Sequence, residues 1–460
     1  MTATVQRLSV DAHGLTHDQV NANALAVLET LNAAGFTALL VGGCVRDLLL
    51  GLTPKDFDVA TDAKPEDVKS LFRRSRLVGR RFRIAHVRSG RDLIEVSTFR
   101  RAHADAADER SHSADGMILR DNVYGTLEED AFRRDFTINA LYYDPRTEEV
   151  IDYVGGLEDL KLKQLRFIGE TPTRIREDPV RVLRALRFQA KLGFDLDPAC
   201  SDAFGEAAQL LAAIPAARLF DEMLKFFLSG YAAAAWQLLA ATPMRAAVFP
   251  TSVPDDPMVM LAMRNTDARI AADKPVTPGF LIAVLLWPAY RARADEFAAD
   301  MKPAEARTLA ATDTLAEQQR IIAVPRRFSQ FVRDVWQLQG RLEARLARSI
   351  ERVADHPRFR AAYDFLILRA EAAEHAQSAA DDDSATTAQL SELAHWWTLW
   401  QEVSPEAAGQ MIKELRSQQP QRKRRRRRRG RNQSATQPEN HSQDGVECQW
   451  PVGDDSHHLR

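Results

Sequence analysis

Apolar residues in the first third of the chain fall into short runs broken by polar segments, a spacing that suits strands better than helices. Ala38–Gly42, Asp56–Thr61, Arg83–Val87, Leu93–Phe99, Ala140–Asp144 and Val150–Val154 read as strands. Helical periodicity lies between some of them. Leu25, Leu28 and Leu31 share a face behind the capping-box-like Thr16-His17-Asp18-Gln19, and that helix should close near Gly35. Lys64–Arg73 is a second helical stretch. This mixture predicts an α+β domain with a mixed sheet over residues 16–160, behind a disordered segment at 1–15.

Beyond Asp178 the pattern becomes almost wholly helical, punctuated by Pro198, Pro215, Pro243, Pro250 and Pro278. A disordered stretch is expected at 416–460. A helix from about Gln389 to Val403 carries Trp396, Trp397 and Trp400, which suit a core better than a base-stacking platform. Ser378–Thr387 is small and acidic and reads as a surface loop. The polar stretch between Phe99 and Leu127 is either a mobile loop beside an active site or an insertion without a role.

Composition adds little for most of the chain. At 460 residues, 45% hydrophobic and 27% charged, it suits several domains of an ordinary soluble protein. No apolar run is long enough to span a membrane, and the first residues lack a secretory pattern. Cys44, Cys200 and Cys448 form neither a disulfide framework nor a zinc knuckle. A cytosolic protein, acting as a monomer, is expected. Charge changes the picture at one place. From Pro420 onward there are ten Lys and Arg against five Asp and Glu, although the whole chain carries −2. The run Arg422–Arg429, with Arg424, Arg425, Arg426 and Arg427 at its centre, cannot build a core and seeks polyanions, nucleic acid before anionic membrane.

The candidate chemistry starts at Leu39-Leu40-Val41-Gly42-Gly43-Cys44-Val45-Arg46-Asp47. An apolar strand runs into a glycine pair that opens a short helix ending at Gly51. Gly42 and Gly43 would let phosphate approach backbone N–H groups, and Arg46 could neutralise it. Asp56 and Asp58 follow, two residues apart, so a strand would project both from one face. Two such hard-oxygen donors can hold Mg²⁺, with Mn²⁺ as the alternative, against a nucleoside triphosphate. Two ions held there would activate a primer 3′-hydroxyl and stabilise departing pyrophosphate. Glu95 and Asp135 are the candidates for a third carboxylate.

Two further segments carry polar groups. In Arg133-Arg134-Asp135-Phe136-Thr137-Ile138-Asn139, behind a helix capped by Thr126 and Glu129, Arg134 and Asn139 could reach sugar and phosphates while Asp135 completes the site. The other reading is a helix end with a buried salt bridge. In Glu177-Asp178-Pro179-Val180-Arg181, Asp178 reads as an N-cap and Pro179 as the first helical residue, and Arg181, Arg184 and Arg187 form a basic stripe. A carboxylate at Asp178 and a guanidinium at Arg181 complement the pairing edge of adenine. Cytosine has the same polarity, so this device accepts A or C and does not choose between ATP and CTP.

Together these segments resemble the class II nucleotidyltransferases, the family of bacterial poly(A) polymerases and tRNA CCA-adding enzymes. The resemblance covers residues 16–415 and is strongest from 36 to 190. It implies a catalytic head with a five-stranded sheet at 16–160, a helical neck at 161–270 and a helical, RNA-binding body at 271–415. It assigns metal binding to Asp56 and Asp58, a further active-site role to Asp135, and base selection to Glu177, Asp178 and Arg181. Cys44 stands where this family more often has Gly or Ala, a change a small side chain should tolerate. Leu77–Val87, with Arg80 and Arg81, is similar to the basic segment of poly(A) polymerases, as are Pro325–Phe328, His356–Asp364 and the arginine-rich tail. No HD-type phosphohydrolase signature is found.

The expected activity is template-independent transfer of AMP from ATP to RNA 3′ ends. The alternatives are a CCA- or A-adding tRNA nucleotidyltransferase and a non-catalytic RNA-binding protein. The intact Gly42, Gly43, Asp56 and Asp58 count against the latter. Proteins of RNA decay or RNA chaperoning are candidate partners.

Overall fold

The first strand, β1 (Gln6–Leu8), lies in the segment expected to be disordered, followed by the short α1 (Val10–His13). β1 pairs antiparallel with residues 150–152. Three residues carry too little alternation to announce a strand; a partner more than a hundred residues away supplies the hydrogen bonds. The Thr16–Gln19 capping box forms on a single 3₁₀ turn, and α2 (Ala22–Ala33) starts separately, capped by Asn21. The chain continues through β2 (Ala38–Val41), α3 (Gly43–Leu49), β3 (Asp58–Thr61), α4 (Pro65–Leu71), β4 (Ser75–Val78), β5 (Ile84–Ser89) and β6 (Asp92–Thr98). It then forms α5 (Leu127–Arg133), β7 (Leu141–Asp144), β8 (Glu149–Asp152), α6 (Gly156–Leu162), α7 (Thr171–Glu177) and α8 (Val180–Leu192).

The structure is a computed structural model that describes residues 5–79, 83–101, 123–377 and 384–419. Arg80 and Arg81, most of the Phe99–Leu127 segment, residues 378–383 and the run with Arg424, Arg425, Arg426 and Arg427 lie outside the described residues. Residues 384–387, expected in a loop, already belong to the helix Ser384–Glu402.

Among the described residues the head sheet has eight strands rather than the five expected, in the order β1-β8-β7-β2-β3-β6-β5-β4. The difference comes from short edge strands, such as β1 and β4, that have little hydrophobic pattern of their own. β3 and β6 run parallel, with Asp58 opposite Glu95, and the other pairs are antiparallel. β2, wholly buried, is an apolar run in the sheet's middle. In β5 and β6, Ala85, Val87, Ile94 and Val96 enter the core that α2 and α4 also line. Their alternates His86, Arg88, Leu93 and Glu95 face the other way. There, over β2, β3 and β7, a smaller cluster of Leu39, Val41, Ala60, Phe99, Ala131 and Tyr142 covers the sheet, leaving the β4–β6 end open.

After α8 the described chain is helical apart from a two-residue strand at Asp195–Leu196. Trp397 is fully buried and its indole N–H donates to the Leu342 carbonyl (3.2 Å); Trp396 and Trp400 pack on the same cluster. Residues 1–416 form one unit and 417–460 another, whose described residues 417–419 include the end of the helix Pro405–Gln418.

Candidate active site

β2 ends where Gly42 adopts φ 79° and ψ −125°, a conformation that side chains rarely adopt. The Gly42 N–H donates to Leu141 O of β7 (3.0 Å), and its carbonyl accepts from the Arg46 N–H (3.0 Å) to begin α3. A Cβ built on Gly42 would lie 3.5 Å from both Arg134 Nη1 and Asn139 O. The turn therefore brings two sequence-predicted segments together against the glycine pair. Cys44 fits as expected: it is buried, its thiol donates to Val41 O (3.3 Å), and burial pushes it up to about 12, so it is inert.

Asp58 opens β3 and is half-buried, whereas Asp56 precedes the strand and is exposed. β3 shortens because β2 leaves the sheet at Gly42, so Asp56 loses the neighbour that pairing would need. Of the two candidates for a third carboxylate, Glu95 is the one in register with Asp58, on the same sheet face. Burial above all, with Glu95 and Asp56 adding to it and Arg134 opposing, raises the Asp58 carboxyl to about 6. Three oxygen-donor side chains thus crowd one edge, an environment that a divalent cation would relieve. No ready-made cluster of three His, Cys, Asp or Glu occurs among the described residues. The fit therefore rests on Asp56 and Asp58, with Glu95 beside them, and on water and phosphate oxygens to complete a shell.

Arg134 is half-buried between this edge and a network that sequence reasoning missed. Asp130 Oδ2 accepts from Arg134 Nη2 (2.9 Å) and Tyr142 OH (2.8 Å), and Asp130 Oδ1 from Arg133 Nε (3.3 Å). The i,i+3 and i,i+4 spacings of Asp130 to Arg133 and Arg134 were the local signals. The Thr126–Glu129 capping box forms as expected.

Asp135 is held by three hydrogen-bonding neighbours. Its Oδ2 accepts from Arg184 Nε (2.8 Å), its Oδ1 from the Phe136 N–H (2.8 Å) and from Asn139 Nδ2 (3.3 Å). The buried-salt-bridge reading describes this geometry. Asn139 Oδ1 in turn accepts from Arg46 Nη1 (2.5 Å), and Arg46 Nε bonds its neighbour Asp47 (2.9 Å). Three guanidiniums surround Phe188: those of Arg187 at 4.5 Å, Arg46 at 5.2 Å and Arg184 at 5.7 Å from the ring centre. Burial and the neighbouring Arg184 lower Arg187 to about 10. Such a concentration of cations beside the glycine turn suits a polyphosphate.

At the Glu177–Arg181 segment, Pro179 has helical dihedrals and the Asp178 carbonyl accepts from the Arg181 N–H (3.1 Å), but the Asp178 side chain does not cap the helix as the N-cap reading expected. Arg181 Nη1 bonds Glu177 Oε2 (2.8 Å) and Arg174 O (2.6 Å). The Asp178 carboxylate accepts from Arg218 Nη2 (2.5 Å) of the helix Ala216–Phe227. Arg174 also bonds Glu177 (2.8 Å) and reaches the Arg133 carbonyl (2.7 Å) and that of Arg134, tying α7 to the head. Arg218 had no signal of its own, because its partner lies forty residues away, and Arg174 had only its i,i+3 spacing to Glu177.

A head of this build, followed by helices that open on Glu177, Asp178 and Arg181, has the architecture of a nucleotidyltransferase. Family profiles match in three places: the "Poly A polymerase head domain" at residues 38–166, the "Probable RNA and SrmB- binding site of polymerase A" at 193–253 and the "Polymerase A arginine-rich C-terminus" at 299–431. Poly(A) polymerase I of Escherichia coli is 44% identical over 419 residues, 88% of each chain. The CCA-adding enzyme of Streptococcus pneumoniae is 40% identical over 208 residues, 45% of this chain and 50% of that enzyme. A crystal structure of the Bacillus stearothermophilus CCA-adding enzyme with CTP shares the fold, with TM-score 0.51 and 24% identity over 86% of this chain and 83% of that one. The chain belongs to the class II nucleotidyltransferase family, which unites poly(A) polymerases and CCA-adding enzymes.

Proposed function

We propose that this protein is a polynucleotide adenylyltransferase that adds AMP from ATP to RNA 3′ ends without a template. The RNA 3′-oxygen forms a bond to the α-phosphorus as the α–β anhydride breaks and pyrophosphate leaves. The observation that carries this reading is the meeting of Asp58, Glu95 and the Gly42 turn around Arg134, in a chain that matches Poly(A) polymerase I over 88% of both lengths.

The chain's own groups divide the work. The Gly42–Gly43 turn lets triphosphate oxygens approach backbone N–H groups, and Arg46, Arg134, Arg184 and Arg187 supply compensating charge. Asn139 orients Arg46, and Asp135 orients Asn139 and Arg184 from behind. Asp56 and Asp58, with Glu95, would hold Mg²⁺ or Mn²⁺, which when bound lowers the pKa of the attacking hydroxyl and offsets charge on the triphosphate. Glu177, Asp178 and Arg181 read the base, with Arg174 and Arg218 bracing them. The preference for ATP rests on the match to Poly(A) polymerase I rather than on this motif.

On the same reading, Arg80, Arg81 and Arg424–Arg427 hold RNA electrostatically. The match of residues 193–253 to a profile named for RNA and SrmB binding supports a protein partner of RNA metabolism. No helix among the described residues is long and apolar enough to cross a membrane, and the proposal places the protein in the cytosol as a monomer.

The test is extension of an unstructured RNA primer by the purified protein with each nucleotide separately. Long tails from ATP alone are expected. Arrest after a few additions, with CTP used well, would overturn the assignment in favour of CCA addition.

A further inference from the structure

The open face of the head sheet carries a charged row that leads away from the catalytic edge. Asp58 is in register with Glu95, Glu95 with His86, and His86 with Arg76, so one line crosses β3, β6, β5 and β4. In-register residues on neighbouring strands project from the same face, and three strand spacings put Arg76 about 14 Å from the strand position of Asp58. His86 Nε2 lies 3.3 Å from Glu95 Oε1, so the row is continuous at side-chain level in its middle. At its far end, Arg74, Ser75, Arg76, His86, Arg88 and Leu93 line a depression of about 470 Å³.

Arg74, Arg76 and Arg88 are exposed, and among the described residues none of the three makes an ion pair or a side-chain hydrogen bond. The Arg88 N–H donates to the Arg74 carbonyl (2.9 Å), so two of these arginines sit opposite each other on adjacent strands. Like charges set opposite each other destabilise a sheet unless an anion lies between them. Protection of an edge strand from aggregation explains a cation on β4, but not one on β5, which is paired on both sides.

We propose that this face is the track for the RNA strand next to its reacting 3′ end, with Arg74, Arg76 and Arg88 contacting backbone phosphates. The inference rests on the adenylyltransferase reading, which puts the 3′-hydroxyl at Asp58. From there the strand runs over β6 and β5 to the β4 edge. The opposite direction, over β2 and β7, is covered by the cluster around Tyr142. The ligand chemistry is a flexible polyanion read without sequence, which three guanidiniums on a shallow surface fit. An acidic protein segment would need partners for its backbone and apolar side chains as well, and the depression offers only Leu93 for the latter.

The test uses the full chain and a short oligoadenylate primer. In the triple variant Arg74→Ala, Arg76→Ala, Arg88→Ala, the KM for primer should rise about tenfold or more, and the magnitude of the slope of log affinity against log salt should fall by about 2, at roughly 0.7 per lost phosphate contact. The KM for ATP and kcat at saturating primer should stay within about twofold of the parent, and the triple Arg→Lys variant should recover most of the primer affinity. Unchanged primer KM and salt slope would overturn the proposal and leave the patch to an acidic protein. A rise in the KM for ATP alone would overturn it in favour of triphosphate binding. Fluorescence anisotropy of the labelled primer without ATP reads the track even if the parent protein transfers no AMP, so the two readings fail separately.

Discussion

Arg184 on α8 donates through Nε to Asp135 Oδ2 at 2.8 Å, and two helical turns later Lys191 donates to Asp47 Oδ2 at 2.8 Å. Between these points Asp135, Asn139, Arg46 and Asp47 are linked in sequence by hydrogen bonds. The helix that follows Asp178 is therefore fastened twice to the head, and Arg46 and Asn139, proposed to serve the triphosphate, lie inside the loop so formed. Replacing Asp135 by Asn leaves Arg184 partly buried without its carboxylate and weakens the hold on Asn139. We expect a loss of about 3 kcal/mol in stability by urea denaturation, with a raised KM for ATP. A variant of parental stability would show that the pair is dispensable.

Acid should dismantle the same region. Burial opposes the charge on Asp130, but Arg134, Arg133 and Tyr142 outweigh it and hold the carboxyl at about 2; Arg184 and the Phe136 N–H likewise hold Asp135 below the usual carboxylate range. Both folded values lie beneath the ordinary 3.8, so the stability they contribute is present above that pH and is lost as pH falls toward 2. Thermal unfolding followed from pH 5 to pH 2 should show a steep fall in the parent and a shallower one in Asp130→Asn, which starts less stable at pH 7.

Asp58 has the opposite sign. Burial, Glu95 and Asp56 raise it to about 6, so its protonated form is favoured and its contribution to stability is lost as pH rises from 3.8 through 6. Without divalent cations, Asp58→Asn should be more stable than the parent at pH 8, by about 1–3 kcal/mol, while AMP transfer is abolished. Calorimetry of the two proteins in EDTA checks the first half and primer extension the second. A destabilised variant would mean that the carboxylates do not repel one another.

Gly42→Ala tests the phosphate turn. At φ 79° a side chain costs about 1–2 kcal/mol in backbone strain, and the new methyl would sit 3.5 Å from Arg134 Nη1 and Asn139 O, an ordinary contact. The cost should therefore come from backbone strain, read as a lower melting temperature, with a raised KM for ATP where the turn meets phosphate. Unaltered ATP kinetics would detach the turn from nucleotide binding.

Much of the site was legible because its signals are local. A glycine pair after an apolar run, the Thr126–Glu129 box and Pro179 behind Asp178 each depend on atoms a few residues apart, where steric limits and capping hydrogen bonds hold in any context. The eight-stranded sheet was not legible in the same way. β1 and β4 are short edge strands whose hydrogen bonds come from neighbours, and their residues show too little alternation to mark them.

The chain by itself determined the class of chemistry: carboxylates near a glycine turn, a basic segment and the Glu177–Arg181 segment in that order, with family resemblance to match. Only the tertiary structure decided the pairing of those charges. It turned Asp135 toward Arg184, put Glu95 beside Asp58, gave Asp178 the guanidinium of Arg218, and lined Arg76 up with the catalytic edge. The physical reason is range. Dihedral preferences and caps act within a helical turn, whereas a buried charge takes whichever partner packing brings within about 3 Å, however distant that partner is in sequence.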